Sequence, residues 1–363
     1  MENQDILDFA NMVFSMEHGS IDFEKLYPKA YSRECCHIPV HHTIEEDGKI
    51  QALIDVYPVT LKLNGSEMSI RAAYIGTVSV HPKQRGKGYM IELMQRAERD
   101  ARENGFDLLL LDGERHRYRN FGFEKAGVKY CFHVCFGNIW HRCRELYTEE
   151  ELGAPKYSFE EIDEDSSCLP FLFKLYQRRN VTARTEEEFF PCLKSNLATT
   201  YAVLESEQVV GYINLSEDEK NILEFELEDP SYIARMLYDF MEGMELNEIG
   251  LSAGMDETKK LEQLEGASGY YNLSMSHQMK VLCPERVLDF LAAWKNKYDT
   301  RVINLDKIKK WWSELEVSDM EKISLLTTSR CFMELQKGEN SLLKGIPSDW
   351  LPLPFFLPDG DAF

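Results

Sequence analysis

No stretch of this 363-residue chain approaches the ~20 consecutive apolar residues that a membrane-spanning helix needs. The first residues, Met1-Glu-Asn-Gln-Asp-Ile, are acidic and lack the basic start and apolar core of a secretory leader, so a cytoplasmic location is expected. Net positive charge is missing as well. Lys and Arg number 41 against 62 Asp and Glu, a formal net charge of −21. Repulsion of that size argues against binding to nucleic acid or to an anionic membrane, and it suits a cationic partner. The nine cysteines include no C-x-x-C pair and no matching histidine set. The usual zinc spacings are therefore absent, no metal is expected, and scattered thiols fit a reducing compartment. Two phosphate motifs fail too. Gly88 is followed by Tyr89 and Met90, not by the Lys-Ser/Thr of a Walker loop, and no third glycine completes a G-x-G-x-x-G fingerprint.

What is present is a glycine-spaced basic turn. Ala73 to Val80 reads as a strand, and His81-Pro82 then lead into Arg85-Gly86-Lys87-Gly88. Glycines there let the main chain bend tightly and come close to a ligand. A helix follows, with Met90, Ile91, Leu93, Met94, Ala97 and Ala101 near helical spacing, and Asn104-Gly105 ends it. Its start offers unpaired N–H groups and the positive end of a dipole, which together suit a pyrophosphate. Next comes Leu108 to Leu111, an apolar run without alternation, as in a strand covered on both faces. Gly113, Glu114 and Tyr118-Arg-Asn-Phe-Gly-Phe123 complete the region.

This order of strand, P-x-x-R-G-x-G turn, helix, apolar strand and Y-x-x-x-G-F resembles the GNAT acetyltransferase superfamily over about residues 30 to 135. Arg85 and Gly88 fill the first two fixed places of the family's Q/R-x-x-G-x-G/A pattern, and Met90 departs from the third. The resemblance implies an α+β (mixed αβ) fold with a central mixed sheet flanked by helices. It implies acetyl-CoA as the co-substrate, held by Val78, Ser79 and Val80 of the strand and by Arg85, Gly86, Lys87, Gly88, Tyr89 and Met90 of the turn. Backbone N–H groups of Val78 and Val80 would face the thioester oxygen. Tyr118 would be the general acid, since a phenol is protonated at neutral pH and matched to a thiolate leaving group. The general base is left among Glu114, His116 and the chain's terminal carboxylate at Phe363, the last because Eis-type members use such a group. His41-His42 reads as the start of a strand.

Before the turn, Ile50 to Val56 and Val59 to Leu63 read as separate strands, with hairpin turns at Glu46-Asp47-Gly48-Lys49 and Asn64-Gly65. Past Thr148 to Pro155, a linker candidate, the strand–strand–helix order recurs without the basic turn. Glu226-Leu-Glu-Asp-Pro-Ser231 stands in its place, and its carboxylates would repel a pyrophosphate. Three parts are therefore expected: a catalytic unit over 1–147, a degenerate copy over 156–278 and a C-terminal segment over 279–363 whose apolar Trp350 to Pro358 docks on the body. The layout resembles the Eis-type branch. The expected activity is acetyl-CoA-dependent N-acetylation of a primary amine on a small cationic acceptor, and a homo-oligomer is compatible with it. A non-catalytic acyl-CoA-binding module and a protein or peptide N-acetyltransferase are the alternatives.

Overall fold

The computed structural model describes residues 3–32, 39–180, 182–299 and 301–357. They fall into two compact units. One holds the chain up to Gly127 together with Met275–Phe355, and the other holds Val128–Ser274 with residues 356 and 357.

The first unit opens with helix α1 (Asn3–His18) and two single-turn helices, α2 (Phe23–Leu26) and α3 (Pro28–Tyr31). Strands β1 (Val40–Glu46), β2 (Lys49–Lys62) and β3 (Ser69–Val80) form an antiparallel meander. Helix α4 (Tyr89–Glu103) then crosses to β4 (Leu108–Leu111), which runs parallel to β3. Leu93, Met94, Ala97 and Ala101 form the buried stripe of α4. They pack on Ala52, Ile54, Ala73, Ile75, Leu109 and Leu111 of the sheet. All four leucines of β4 are buried, as a run without alternation requires. The single-turn helix α5 (Arg115–Tyr118) leads to β5 (Glu124–Cys135).

One expectation is corrected here. The strands anticipated at Ile50–Val56 and Val59–Leu63 are a single strand, β2, that continues through Pro58. Proline is tolerated because β1 ends opposite Val56, so beyond that point β2 has one edge without a partner from β1.

The second unit follows with α6 (Phe136–Leu146), α7 (Glu149–Leu152), β6 (Ser158–Glu161), α8 (Leu169–Tyr176) and α9 (Glu186–Leu193). Strands β7 (Thr199–Glu205), β8 (Gln208–Leu215) and β9 (Asn221–Leu227) extend β6 as an antiparallel meander. Helix α10 (Ile233–Gly243) crosses to β10 (Glu248–Gly254), parallel to β9 and antiparallel to the second half of β5. Helix α11 (Thr258–Ala267) and β11 (Tyr270–Val281) come next. The stretch anticipated as a linker is structured in part: α7 is fixed by a reciprocal capping box between Thr148 and Glu151.

Back in the first unit, Gln278–Val281 of β11 pair antiparallel with β4. Helices α12 (Pro284–Tyr298), α13 (Leu305–Glu314), α14 (Asp319–Thr327) and α15 (Arg330–Leu335) follow. Trp350, Leu351, Leu353 and Phe355 are buried, and the Leu353 N–H donates to the Leu326 carbonyl at 2.6 Å. The divisions anticipated at 147, 156 and 279 follow the sequence repeat, whereas the compact units change over at Gly127/Val128 and Ser274/Met275. Among the described residues no helix is long and apolar enough to cross a membrane.

Candidate active site

The pairing of β3 with β4 covers only Ala72 to Tyr74 against Leu108 to Leu110. Beyond it β4 stops at Leu111 while β3 runs on to Val80. A cavity of about 630 Å³ opens at this divergence. Its walls are the end of β3, the turn before α4, Asp112 after β4, and Arg117 and Tyr118 of α5, with Val13, Phe14 and Glu17 of α1 and Tyr27 on the remaining side.

The turn has the form of an anion cradle. Gly86 and Gly88 both take φ of 85°, a conformation that disfavours side chains, and Gly88 is the N-cap of α4 without a side-chain acceptor. Ile91 and Glu92 donate back to the Gly88 carbonyl. The N–H groups of Gly86, Gly88, Tyr89 and Met90 have no acceptor among the described residues. These donors sit at the positive end of a 15-residue helix. The two basic side chains of the turn are already engaged. Arg85 pairs with Glu17 of α1, and Lys87 lies 3.4 Å from Glu46, which also accepts from the Tyr89 hydroxyl. Arg85, Gly86, Gly88, Tyr89 and Met90 line the cavity; Lys87 turns to Glu46.

The strand beside the turn is bulged. Ser79 pairs with Leu53 and Gly76 with Asp55, so Ile54 stands opposite two residues, Thr77 and Val78. Thr77 has φ of 52°, rare for a β-branched residue and worth roughly 1–3 kcal/mol of strain. A buried polar network holds it. Thr77 Oγ1 is 2.6 Å from the Tyr31 hydroxyl and 3.2 Å from that of Tyr57. Tyr57 donates to the Tyr31 oxygen at 2.6 Å, Tyr31 donates to Asp55, and His41 Nδ1 is 2.6 Å from Asp55. Burial pushes both tyrosines well above the usual phenol range. Beyond the bulge, the His81 N–H donates to Gln51 of β2 at 2.8 Å. Alternation along the strand then turns the N–H groups of Val78 and Val80 away from β2, toward the edge where β4 has ended. Both residues line the cavity, as does Ser79, whose buried hydroxyl has no hydrogen-bond partner among the described residues.

Tyr118 closes the floor. It is buried, and burial pushes its phenol above the usual range, with a smaller opposing effect of Arg117. Gly113 has φ of 154°, and a Cβ there would lie 2.5 Å from the Tyr118 ring, so glycine is needed for this approach. No described residue hydrogen-bonds the Tyr118 hydroxyl. The base candidates fare differently. Glu114 is exposed and lies 3.5 Å from the equally exposed His116, away from the cavity. Phe363 lies outside the described residues. His41-His42 begins β1, as anticipated.

The N-terminal helix is legible from Ile6, Phe9, Ala10, Val13 and Phe14 on one face, whereas the Asp55–Tyr31–Tyr57 network and Asp112 were missed. Asp55 did carry a signal, a lone carboxylate in an apolar strand. Elsewhere, His133 and Cys135 of β5 lie beside Glu248 of β10, a grouping invisible to C-x-x-C spacing. The imidazole stands between its partners, with Nδ1 3.4 Å from the thiol and Nε2 3.2 Å from the carboxylate. One ligand atom from each of the three lies within 4.8 Å of the others, a spacing that could hold a metal ion.

The acetyltransferase (GNAT) domain family matches residues 1–126. No curated protein matches the chain. Among solved structures, a probable N-acyltransferase of unknown function from Enterococcus faecalis V583 superposes with a TM-score of 0.59 at 13% identity, over 80% of this chain and 72% of that one. A GCN5-related N-acetyltransferase from Kribbella flavida gives 0.55 at 14% identity, over 80% and 72%. Eis1 from Mycobacterium abscessus gives 0.52 at 14% identity, over 80% and 74%. At such identities the likeness is one of fold. The family match is confined to residues 1–126, and over most of the chain the fold is that of GCN5-related N-acetyltransferases and of Eis1.

Proposed function

We propose that the protein transfers an acetyl group from acetyl-CoA to a primary amine of a small cationic acceptor, by direct attack on the thioester. One observation carries this reading. A single cavity brings together four unpaired N–H groups at a helix start, two N–H groups on the open edge of a bulged strand and a protonated phenol. The turn from Arg85 to Met90 would grip the pyrophosphate through its main chain. The N–H groups of Val78 and Val80 would stabilise the oxygen that gains charge as the amine adds. Tyr118 would protonate the departing thiolate, and its raised pKa keeps it in the acid form through neutral pH. The negative balance of the whole chain favours a cationic acceptor. None of the seven described cysteines is in a disulfide, in keeping with a cytosolic setting.

A thiol-release assay over a panel of amines tests the reading. Tyr118→Phe is expected to lower turnover by about tenfold to a thousandfold with acetyl-CoA affinity nearly unchanged. Unchanged turnover would remove the acid role. Cofactor binding with no amine acetylated would leave a binding module.

A further inference from the structure

Two of the described residues that line the cavity carry carboxylates, Glu17 and Asp112. Glu17 is committed to Arg85. Asp112 stands where β4 ends, and its surroundings are built. The Tyr74 hydroxyl donates to it at 2.8 Å, and His277 Nδ1 lies at 2.9 and 3.0 Å from its two oxygens. Burial pushes this carboxyl up, but the hydrogen bonds from His277 and Tyr74 more than offset that and hold it below the usual range. An ionised carboxylate only accepts, so His277 Nδ1 carries the proton it shares with Asp112. The two side chains differ in access: His277 is 3% exposed and Asp112 42%. An acceptor in the cavity can therefore reach Asp112 and not His277. The other charged or titratable groups around Asp112 are Tyr27, Lys125 of β5, and Arg117 and Tyr118 of α5.

We propose that Asp112 receives the acceptor's ammonium group in this cavity and takes the proton its nitrogen sheds as the N–C bond forms, with His277 as the residue that positions it. The inference rests on the acetyl-transfer reading above. The bound ammonium first loses one proton to solvent, which exposes the lone pair. The nitrogen then adds to the thioester carbonyl and becomes a strongly acidic N–H, for which a weakly basic carboxylate is sufficient. That proton passes to Asp112, the C–S bond breaks, and the thiolate takes a proton from Tyr118. Tyr118 is restored through the proton on Asp112. The sum is acetyl-CoA plus R–NH₃⁺ giving R–NH–CO–CH₃, CoA–SH and one H⁺. A cation that donates N–H bonds is the acceptor this carboxylate selects, and a neutral amine gains little from it.

The test uses the full chain, with spermidine as the cationic probe and aniline as a primary amine neutral at pH 7. Asp112→Asn is expected to weaken calorimetric binding of spermidine to the CoA-loaded protein by about tenfold or more, and to lower kcat/KM for spermidine by about a hundredfold. Acetyl-CoA affinity, measured first as proof of folding, stays unchanged, and aniline turnover falls far less. Asp112→Glu keeps the charge one methylene out of place, so it retains spermidine binding and loses turnover. His277→Gln moves the acidic limb of the kcat/KM profile to higher pH, because Asp112 loses a partner that holds its carboxyl low; mere loss of folded protein would lower the profile without moving it. Spermidine binding and turnover unaffected in Asp112→Asn, or equal losses with both amines, overturn the proposal, as does a wild-type protein that does not bind spermidine. Spermidine bound at Asp112 without thiol release would instead sink the acetyl-transfer reading and leave the anchor standing.

Discussion

The two units run the same course of antiparallel strands, a turn, a helix and a parallel strand, yet their turns do opposite things. In the first, Gly86 and Gly88 bend the chain so that four N–H groups stay unpaired beside a cavity. In the second, the turn between β9 and α10 is Asp229-Pro230-Ser231. Proline brings no N–H, and the Asp229 carboxylate takes the Ser231 N–H. The anion that such a turn could bind is supplied by the chain itself. The strands differ likewise. Where β3 carries a bulge held by neutral tyrosines, β9 carries Glu224 and Glu226, each buried and ion-paired: Glu224 with Arg184 at 2.8 Å, Glu226 with Lys260 at 2.6 Å and with Arg179 at 3.0 Å. One fold thus makes either an open cavity lined by unpaired N–H groups or a sealed core. The choice lies in whether turn N–H groups and strand carboxylates find partners within the chain.

The strongest attack on that contrast is to unpair the second unit. Glu224→Ala would remove the buried carboxylate that pairs with Arg184, and the loss of a buried pair member costs about 3–5 kcal/mol. Denaturant unfolding should show this, with protection from hydrogen exchange falling in β8 and β9. Acetyl-CoA affinity should hold, and a matching loss of affinity would mean that the second unit contributes to the ligand site after all. Acid makes the same attack. Burial raises the Glu257 carboxyl, but Lys260 and Arg179 overcome this and hold it at about 2. A depressed folded-state pKa stabilises fully above the unfolded value of about 4.3, and the contribution is lost as pH falls toward 2. Glu226 is pushed the other way by burial and adds nothing to this loss. The second unit should therefore unfold between about pH 4.3 and 2, as followed by far-ultraviolet dichroism, and a transition unmoved by Lys260→Met would refute the assignment.

The turn of the first unit offers a gentler test. Nothing lies within 4 Å of a Cβ built on Gly88, so Gly88→Ala meets no clash and pays only for its left-handed backbone, about 1–2 kcal/mol. Relief of that strain rotates the peptide whose N–H groups face the cavity. Acetyl-CoA affinity should fall by up to about tenfold, as read by calorimetry, with the unfolding of the second unit unchanged. Equal affinity would show that side chains, and not the main chain, hold the pyrophosphate.

The parts legible in the sequence were those with local signals. Gly86 and Gly88 announced the turn, helical spacing gave α4, four consecutive leucines gave β4, and the turn chemistry of Asn64-Gly65 gave the β2–β3 connection. The rest depends on partners far apart in the chain. His277 lies 165 residues from Asp112, and Thr77 lies 46 from Tyr31. No periodicity joins such pairs, because each side chain is one polar residue on an otherwise apolar face. Arg179 and Glu226 were equally hidden: a carboxylate-rich strand reads as repulsive until its cations are placed. Pro58 misled for a different reason. Proline ends a strand only where its N–H is needed on both edges, and the sequence does not say where β1 stops.

The smallest expected effect concerns the mouth of the cavity, where both units' logic meets in one side chain. Arg85 lines the cavity, but its guanidinium is held by Glu17, and Arg85 in turn pulls the Glu17 carboxyl below its usual range. Both side chains are half exposed, so the pair itself adds little to stability. Its consequence is for binding: a pyrophosphate entering the turn meets a fixed negative charge and must compete for the guanidinium. Glu17→Gln removes the repulsion and frees Arg85, so acetyl-CoA should bind about two- to fivefold tighter at low salt. The gain should shrink as ionic strength rises and screens the charges. Weaker binding in the variant would mean that Glu17 orients Arg85 for the ligand rather than guarding it. The first unit would then also use a carboxylate of its own to build the turn, as Asp229 does in the second.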